Sequence, residues 1–341
     1  MTEQPIKGVD GPLKGIKVLD WTMWQFGPVS ASMLGDMGAD VIKIESLDGD
    51  IGRALARMSG RFTTLEGDRN AYFETCNRNK RGIAVDLKTE EGRQVVYKLV
   101  EQADVFIENF RQGVPERLGM DYETLKKINP KLIYGSASGY GPVGPDSARP
   151  SLDGCGQARA GLMMSATPPG AEYPGRVAAA PSDQIGGITL CLGIVSALVA
   201  RDRLGVGQRV EVSHLSSTMW LQGLAVGLDL LSGGSPTGHM DPKNPINPMV
   251  NLYECKDGRW IQFMSGQFTR YWPQFVETMG LEDLLHHPDA EIAAGMAAGS
   301  PELTAKIAER FKEKTADEWI EVLNQSADLI YAKVQSVSEL K

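Results

Sequence analysis

Short apolar runs alternating with amphipathic stretches set the character of the first 136 residues. Residues 15–20 (GIKVLD) read as a buried strand, followed by a Gly27-Pro28 turn and a helix to about Met37. Pro28 suits the first turn of a helix, where a missing N–H costs nothing. Residues 40–45 (DVIKIE) are the next expected strand. Thr89 is placed to cap a helix that carries Val95, Val96, Leu99 and Val100 on one face. Further strands fall at 104–108 (DVFIE) and 131–136 (KLIYGS), with 121–128 helical between them. Strands separated by helices predict parallel βαβ units and an α/β fold, a doubly wound Rossmann-like sheet.

The pattern then changes. Residues 135–170 are rich in Gly, Pro and Ser and read as loops around one short helix. Asp183 stands just ahead of a long apolar helix, 184–203, in which Gly186 and Gly187 permit close packing. A strand at 208–213 (QRVEVS) and a helix at 216–231 follow, and 232–248 has the Gly and Pro content of a linker. Beyond it, 250–254 and 260–264 pair through an Asp257-Gly258 hairpin turn. Helices are expected at 269–279, 302–313 and 316–324. The pattern divides the chain into a large α/β domain, 1–232, and a smaller α+β domain, 233–330.

Composition narrows the function. Across 341 residues the chain is 42% hydrophobic and 23% charged, ordinary for a globular protein. Its net charge of −8, with no block of Lys or Arg, gives no footprint for nucleic acid, so an anionic ligand needs locally placed basic groups. Four scattered cysteines form no CxxC pair, and His286-His287 is the sole cluster among four histidines, so no metal site is expected. The polar N-terminus has no apolar signal region, and the apolar stretch 188–200 is too short to span a bilayer. These features predict a cytoplasmic protein that binds neither membrane nor nucleic acid.

The turn after the first strand is not a dinucleotide cradle. Between Asp20 and Met37 the only glycines are Gly27 and Gly35, so GxGxxG is absent. Asp183, in a Pro-Ser-Asp-Gln string before the long helix, reads from chemistry alone as an N-cap. The same position suits a nucleophile, because a helix N-terminus favours a carboxylate anion by ~0.3–1 kcal/mol. Capping alone gives no reason to prefer Asp183 over Asp153. Met23, Trp24, Met163 and Trp220 read as core residues, or as the lining of an apolar pocket.

Six strings separate these readings: PLKGIKVLDWT, GADVIKIE, NRNKRGIAVDLKTEEGR, ADVFIENFRQGVPERLG, INPKLIYGSASGYGPVGP and GVGQRVEVS. Together, in this order over residues 12–213, they resemble the class III CoA-transferases, the family of formyl-CoA transferase and carnitine CoA-transferase. The resemblance implies that Asp183, just before the helix preceding the GxGQxVxVS strand, attacks an acyl-CoA thioester. An aspartyl-CoA thioester then forms by way of a mixed anhydride. It implies that the large domain binds CoA, with Gln25 and Phe26 near the thioester. Asn109, Phe110, Arg111 and Arg117 match CoA-contacting positions, and Val85 and Lys88 match a segment flanking the adenine and its phosphates. Asp153 is expected in a supporting polar role.

The resemblance further implies acyl-CoA and carboxylic acid substrates and no permanently bound cofactor. It implies an interlocked homodimer, or a heteromer with a paralogous subunit, with 331–341 beginning a return to the large domain. Two departures stand out. Ser46 occupies a place where formyl-CoA transferase has an arginine, and 239–251 (HMDPKNPINPMVN) replaces a glycine-rich loop. The alternatives are a racemase or epimerase of the same family, or a non-catalytic CoA-ester-binding subunit. The racemase uses a histidine before an Asp as a proton carrier. Leu152 precedes Asp153 here and cannot carry a proton.

Overall fold

The computed structural model describes residues 11–54, 64–168, 170–234, 241–295, 299–326 and 328–340. They fall into two compact units, Met1–Thr167 with Glu172–Thr237, and Pro168–Ala171 with Gly238–Lys341.

The first unit opens with β1 (Lys17–Trp21), α1 (Phe26–Asp36), β2 (Asp40–Glu45), α2 (Ala71–Asn77) and β3 (Lys80–Ala84). It continues with α3 (Glu90–Val100), β4 (Val105–Glu108), α4 (Val114–Leu118), α5 (Tyr122–Ile128) and β5 (Ile133–Ser138). Next come α6 (Asp153–Arg159), α7 (Leu162–Ser165), α8 (Pro181–Leu204), β6 (Gln208–Ser213), α9 (His214–Leu221) and α10 (Gly223–Ser232). The six strands are parallel in the order β3-β2-β1-β4-β5-β6. The order reverses between β1 and β4, which opens a crevice at their carboxyl ends, where such sheets take ligands.

Alternation along the strands builds the layers. Val18, Val41, Val105, Ile107 and Ile133 pack with Leu34 of α1 and with Leu190, Ile194 and Leu198 of α8. Leu19, Phe106 and Tyr134 belong to a second cluster with Val96 and Val100 of α3 and Leu125 of α5. Thr89 caps α3 by accepting from the Gly92 N–H, as its place in the sequence predicts.

Helix α8 is longer than the apolar stretch read from the sequence. At 24 residues it is the one helix among those described that is long and apolar enough to cross a membrane. One face is nonetheless core, closed against α1 by two glycines. A Cβ at Gly186 would stand 2.6 Å from the Phe26 ring, and one at Gly187 2.7 Å from Val29 Cγ1.

The second unit holds an antiparallel sheet of β7 (Leu252–Glu254), β8 (Trp260–Phe263) and β9 (Tyr331–Lys333). Helices α11 (Phe268–Met279), α12 (Pro288–Gly295), α13 (Pro301–Phe311) and α14 (Ala316–Leu323) accompany it. Its core is aromatic, with Tyr253 stacked on Phe311 at 4.8 Å.

Four readings change. The stretch 135–170 carries two short helices, α6 and α7, and the helix expected over 216–231 breaks at Gln222 into α9 and α10. Strand β3, absent from the sequence reading, has a charged and largely exposed face on the sheet edge. Residues 331–333, expected to begin a return to the larger domain, pair instead with β8.

Candidate functional site

The chain leaving β1 makes a tight turn over the crevice, held by the part-buried Asn109 and the buried Asp50 and Lys43. Asn109, just past β4, accepts from the Met23 N–H at 2.9 Å and donates to the Met23 carbonyl at 2.7 Å, which ties the two sides of the switch point. Asp50 accepts from the Trp24 N–H at 3.2 Å and from the Gly52 N–H at 2.8 Å. Lys43 donates to the Thr22 carbonyl at 2.9 Å. Its ammonium lies 2.9 Å from Asp50 Oδ2, a buried ion pair in which that oxygen makes no hydrogen bond. Trp24 takes φ of +66°, costly for a residue with a Cβ and sustained by these contacts. The turn delivers Gln25 and Phe26, both buried, to the head of α1.

Helix α8 is entered through a second constrained segment. Ala179 and Ala180 have φ of +64° and +54°, and Pro181 takes the first helical position. The cap is Ala180, so Asp183 is not the N-cap that local sequence suggests but the third helical residue. Asp153, the first residue of α6, pins this entry. It accepts from the Ser182 N–H at 2.8 Å and from Gln157 Nε2 at 2.7 Å, with an Arg176 guanidinium nitrogen at 3.9 Å. It fixes the residue beside Asp183, and its own oxygens are engaged.

Freed from capping, Asp183 has a different partner. His214, the first residue after β6, places Nε2 2.8 Å from Asp183 Oδ1. Ser151 Oγ lies 3.1 Å from its Nδ1, and Phe26 packs on the imidazole at 4.8 Å. Sequence reasoning missed both His214 and Ser151. The usable signal for His214 was its place at the carboxyl end of a parallel strand. His287 lies in the second unit, where Nδ1 accepts from the Asp289 N–H near the start of α12.

A cavity of about 920 Å³ collects Gln25, Phe26, Asn109, Phe110, Arg111, Asp153 and Asp183 together with Ser151 and His214. Met23 and Trp24 line it as well, whereas Trp220 is 76% exposed and outside it. A smaller cavity of about 180 Å³ is lined by Val85 and Lys88 with Trp21, Ser46 and Asp86. Met23 and Phe110 line both cavities. Arg117 lines neither and is exposed on α4, so that sequence expectation has no counterpart in the cavity walls.

Glu108, the last residue of β4, is 3% exposed beneath this loop. It accepts from the Phe110 N–H at 2.8 Å and from Ser136 Oγ at 2.5 Å. Burial pushes its carboxyl up to about 7, against the opposing pull of those hydrogen bonds and of Arg209. A raised acid favours the fold while protonated. Its contribution is full below the ordinary value of 4.5 and is lost as pH rises through about 7. Glu108→Gln should therefore gain on the wild type by roughly 3 kcal/mol between pH 4.5 and pH 8. Urea titrations at both values measure this, and parallel pH dependence in the two proteins would refute it.

No group of three or more His, Cys, Asp or Glu with metal-holding geometry occurs among the described residues. The arrangement offers a half-buried carboxylate at a helix N-terminus, one oxygen engaged by an imidazole, facing a large cavity of mixed polarity. That is the equipment of a carboxylate nucleophile or of a hydrogen-bonded anion site.

Known proteins resemble the chain along most of its length. The family described as CoA-transferase family III matches residues 13–341. An (R)-2-hydroxy-4-methylpentanoate CoA-transferase of Clostridioides difficile is 33% identical, over 96% of this chain and 81% of the relative. A succinate–glutarate CoA-transferase of Agrobacterium fabrum is 38% identical over 79% of this chain and 67% of the relative. Among solved structures, a CAIB/BAIF family protein from Brucella suis superposes with a TM-score of 0.82 at 32% identity. That match covers 97% of this chain and 85% of the other.

Proposed function

Because the chain belongs to CoA-transferase family III, we propose that it moves coenzyme A from an acyl-CoA to a free carboxylic acid through a covalent intermediate on Asp183. The observation that carries this reading is the placement of Asp183. It is the carboxylate that faces the large cavity from the first turn of α8, with Oδ1 bonded to His214 and, among the described residues, no hydrogen bond at Oδ2.

In the proposed sequence Oδ2 attacks the thioester carbonyl and expels CoA thiolate, leaving an acyl-aspartyl anhydride. The thiolate attacks the aspartyl carbonyl, the donor acid leaves as its carboxylate, and Asp183 becomes a CoA thioester. The acceptor carboxylate attacks that thioester, thiolate departs, and a second anhydride forms. Thiolate then attacks the acceptor's acyl carbon and returns Asp183 as a carboxylate. Every step exchanges one anion for another, so the cycle needs no general base. Leu152 lines the same cavity and offers no proton carrier, which weighs against a racemase.

The smaller cavity, with Val85 and Lys88, suits the adenine end of CoA. Phe110 and Met23 lie along the way to Asp183, with Gln25, Phe26, Asn109 and Arg111 around the thioester. Arg111, Arg149 and Arg176 also line the large cavity and favour an anionic acyl group such as succinyl. Exposed Leu192, Trp220, Leu224 and Leu231 support a homodimer in which a second copy covers them.

The test is chemical trapping. Incubated with succinyl-CoA and hydroxylamine but no acceptor, the protein should carry a hydroxamate at Asp183, about 15 Da heavier than the acid. Labelling should require the thioester. A label at Asp153 instead would move the nucleophile, and no label with any of a panel of acyl-CoA donors would remove the covalent mechanism.

A further inference from the structure

The Ser151–His214–Asp183 chain has more to give than a place for the carboxylate. We propose that His214 is a catalytic residue of the transfer, a fixed N–H donor to Asp183 Oδ1 that stabilises the charge formed on that oxygen. The inference rests on the transferase reading above.

The proton's place follows from the partners. An ionised carboxylate only accepts, so Nε2, 2.8 Å from Asp183 Oδ1, has to carry hydrogen. Nδ1 faces a hydroxyl, Ser151 Oγ at 3.1 Å, which can either donate or accept. Nε2–H therefore points at Asp183 whether the ring is neutral or protonated. The ring cannot easily turn away: its side chain is 7% exposed and Phe26 packs against it at 4.8 Å.

This engages one oxygen and leaves the other to attack. Once Oδ2 is acylated, Oδ1 is the carbonyl oxygen of the anhydride, and later of the thioester. Two steps add a nucleophile to that carbonyl: thiolate when the thioester forms, and acceptor carboxylate when it breaks. In both, Oδ1 takes the negative charge, and a donor is already set at hydrogen-bonding distance. Loss of one such donor typically costs about 10²–10³ in rate. The two steps at the substrates' own acyl carbons build their oxyanion on the substrate, out of reach of the His214 N–H. Oxyanion stabilisation by His214 is therefore confined to the middle of the cycle.

That confinement separates chemistry from packing. In His214→Leu, kcat for exchange should fall about 10²–10³-fold while KM for acyl-CoA stays within about threefold. Intact-protein mass spectrometry with donor alone should change as well. Wild type should carry the mass of CoA less water, whereas the variant should accumulate the donor acyl group. His214→Gln, which can keep an N–H toward Asp183, should recover at least about tenfold over the leucine variant. It also serves as the folded control should leucine destabilise the protein.

An adduct pattern unchanged from wild type in both variants would overturn the proposal. So would complete loss of activity in Ser151→Ala with the donor acyl group itself found on Ser151 in wild type, since His214 would then serve a serine nucleophile. Absence of any label on wild-type Asp183 strikes the transferase mechanism itself. A normal label with a normal His214→Leu strikes only this inference.

Discussion

Asp183→Ala is expected to eliminate CoA exchange, a fall of about 10⁴ or more, while the protein stays folded. No second carboxylate among the described residues of the cavity wall is free to take over. Asp153 is the other carboxylate lining the cavity, and its oxygens are held by the Ser182 N–H and Gln157. The structural cost is small because Asp183 does not cap α8. What is lost is the hydrogen bond to His214 and a favourable charge in the first helical turn, together about 1–3 kcal/mol. Exchange assayed by mass spectrometry beside a thermal melt checks both halves. Turnover within a hundredfold of wild type in the folded variant would remove Asp183 from its role.

The largest stability effect should come from a residue that touches no substrate. Lys80 is almost wholly buried, with Nζ donating to Asp20 Oδ2 at 2.7 Å, the Pro28 carbonyl at 2.8 Å, Asn77 Oδ1 at 2.9 Å and the Cys76 carbonyl at 3.1 Å. Thr22 supplies Asp20 with a further hydrogen bond. Burial works against both charges. At Asp20 the ammonium groups of Lys80 and Lys43 more than offset it, and the carboxyl is held below its usual range. At Lys80 burial prevails over the pull of Asp20, and the ammonium is drawn down. Lys80→Met strands a buried carboxylate and should cost about 3–5 kcal/mol, a fall in melting midpoint on the order of 10 °C. A shift under about 2 °C would mean that Asp20 finds other compensation.

The regular part of this architecture was legible because burial is periodic. The strands β1, β2, β4 and β5 carry apolar runs and β6 (QRVEVS) alternates valine with polar residues, and either pattern announces itself. Strand β3 (KRGIA) does not: it lies on the sheet edge, and its charged face gives no alternation to read. The break at Gln222 is equally silent, because apolar residues continue on both sides of it. Within the candidate site, Asp183 is singled out only by the family resemblance, because a place at the start of a helix gives no preference over Asp153. Its partner is not singled out at all, since the Asp183–His214 contact spans 31 positions and the Ser151–His214 contact 63. Neither pair has a local spacing rule. The role of Asp153 is likewise tertiary, reaching 29 positions to the Ser182 N–H.

The close approach of α8 to α1 also governs the order in which substitutions can be accepted. Any residue other than glycine at 186 drives a Cβ into the Phe26 ring, and that ring packs on His214. The two positions are therefore expected to show sign epistasis. A smaller side chain at 26 leaves a void by itself, and a larger one at 186 is a clash by itself, yet the two changes together can restore the volume. Neutral drift through this contact has to begin at Phe26 and pass through a less stable intermediate. Gly187 and Val29 face each other under the same rule. The helix that carries Asp183 can thus be redesigned only in step with the one beneath it.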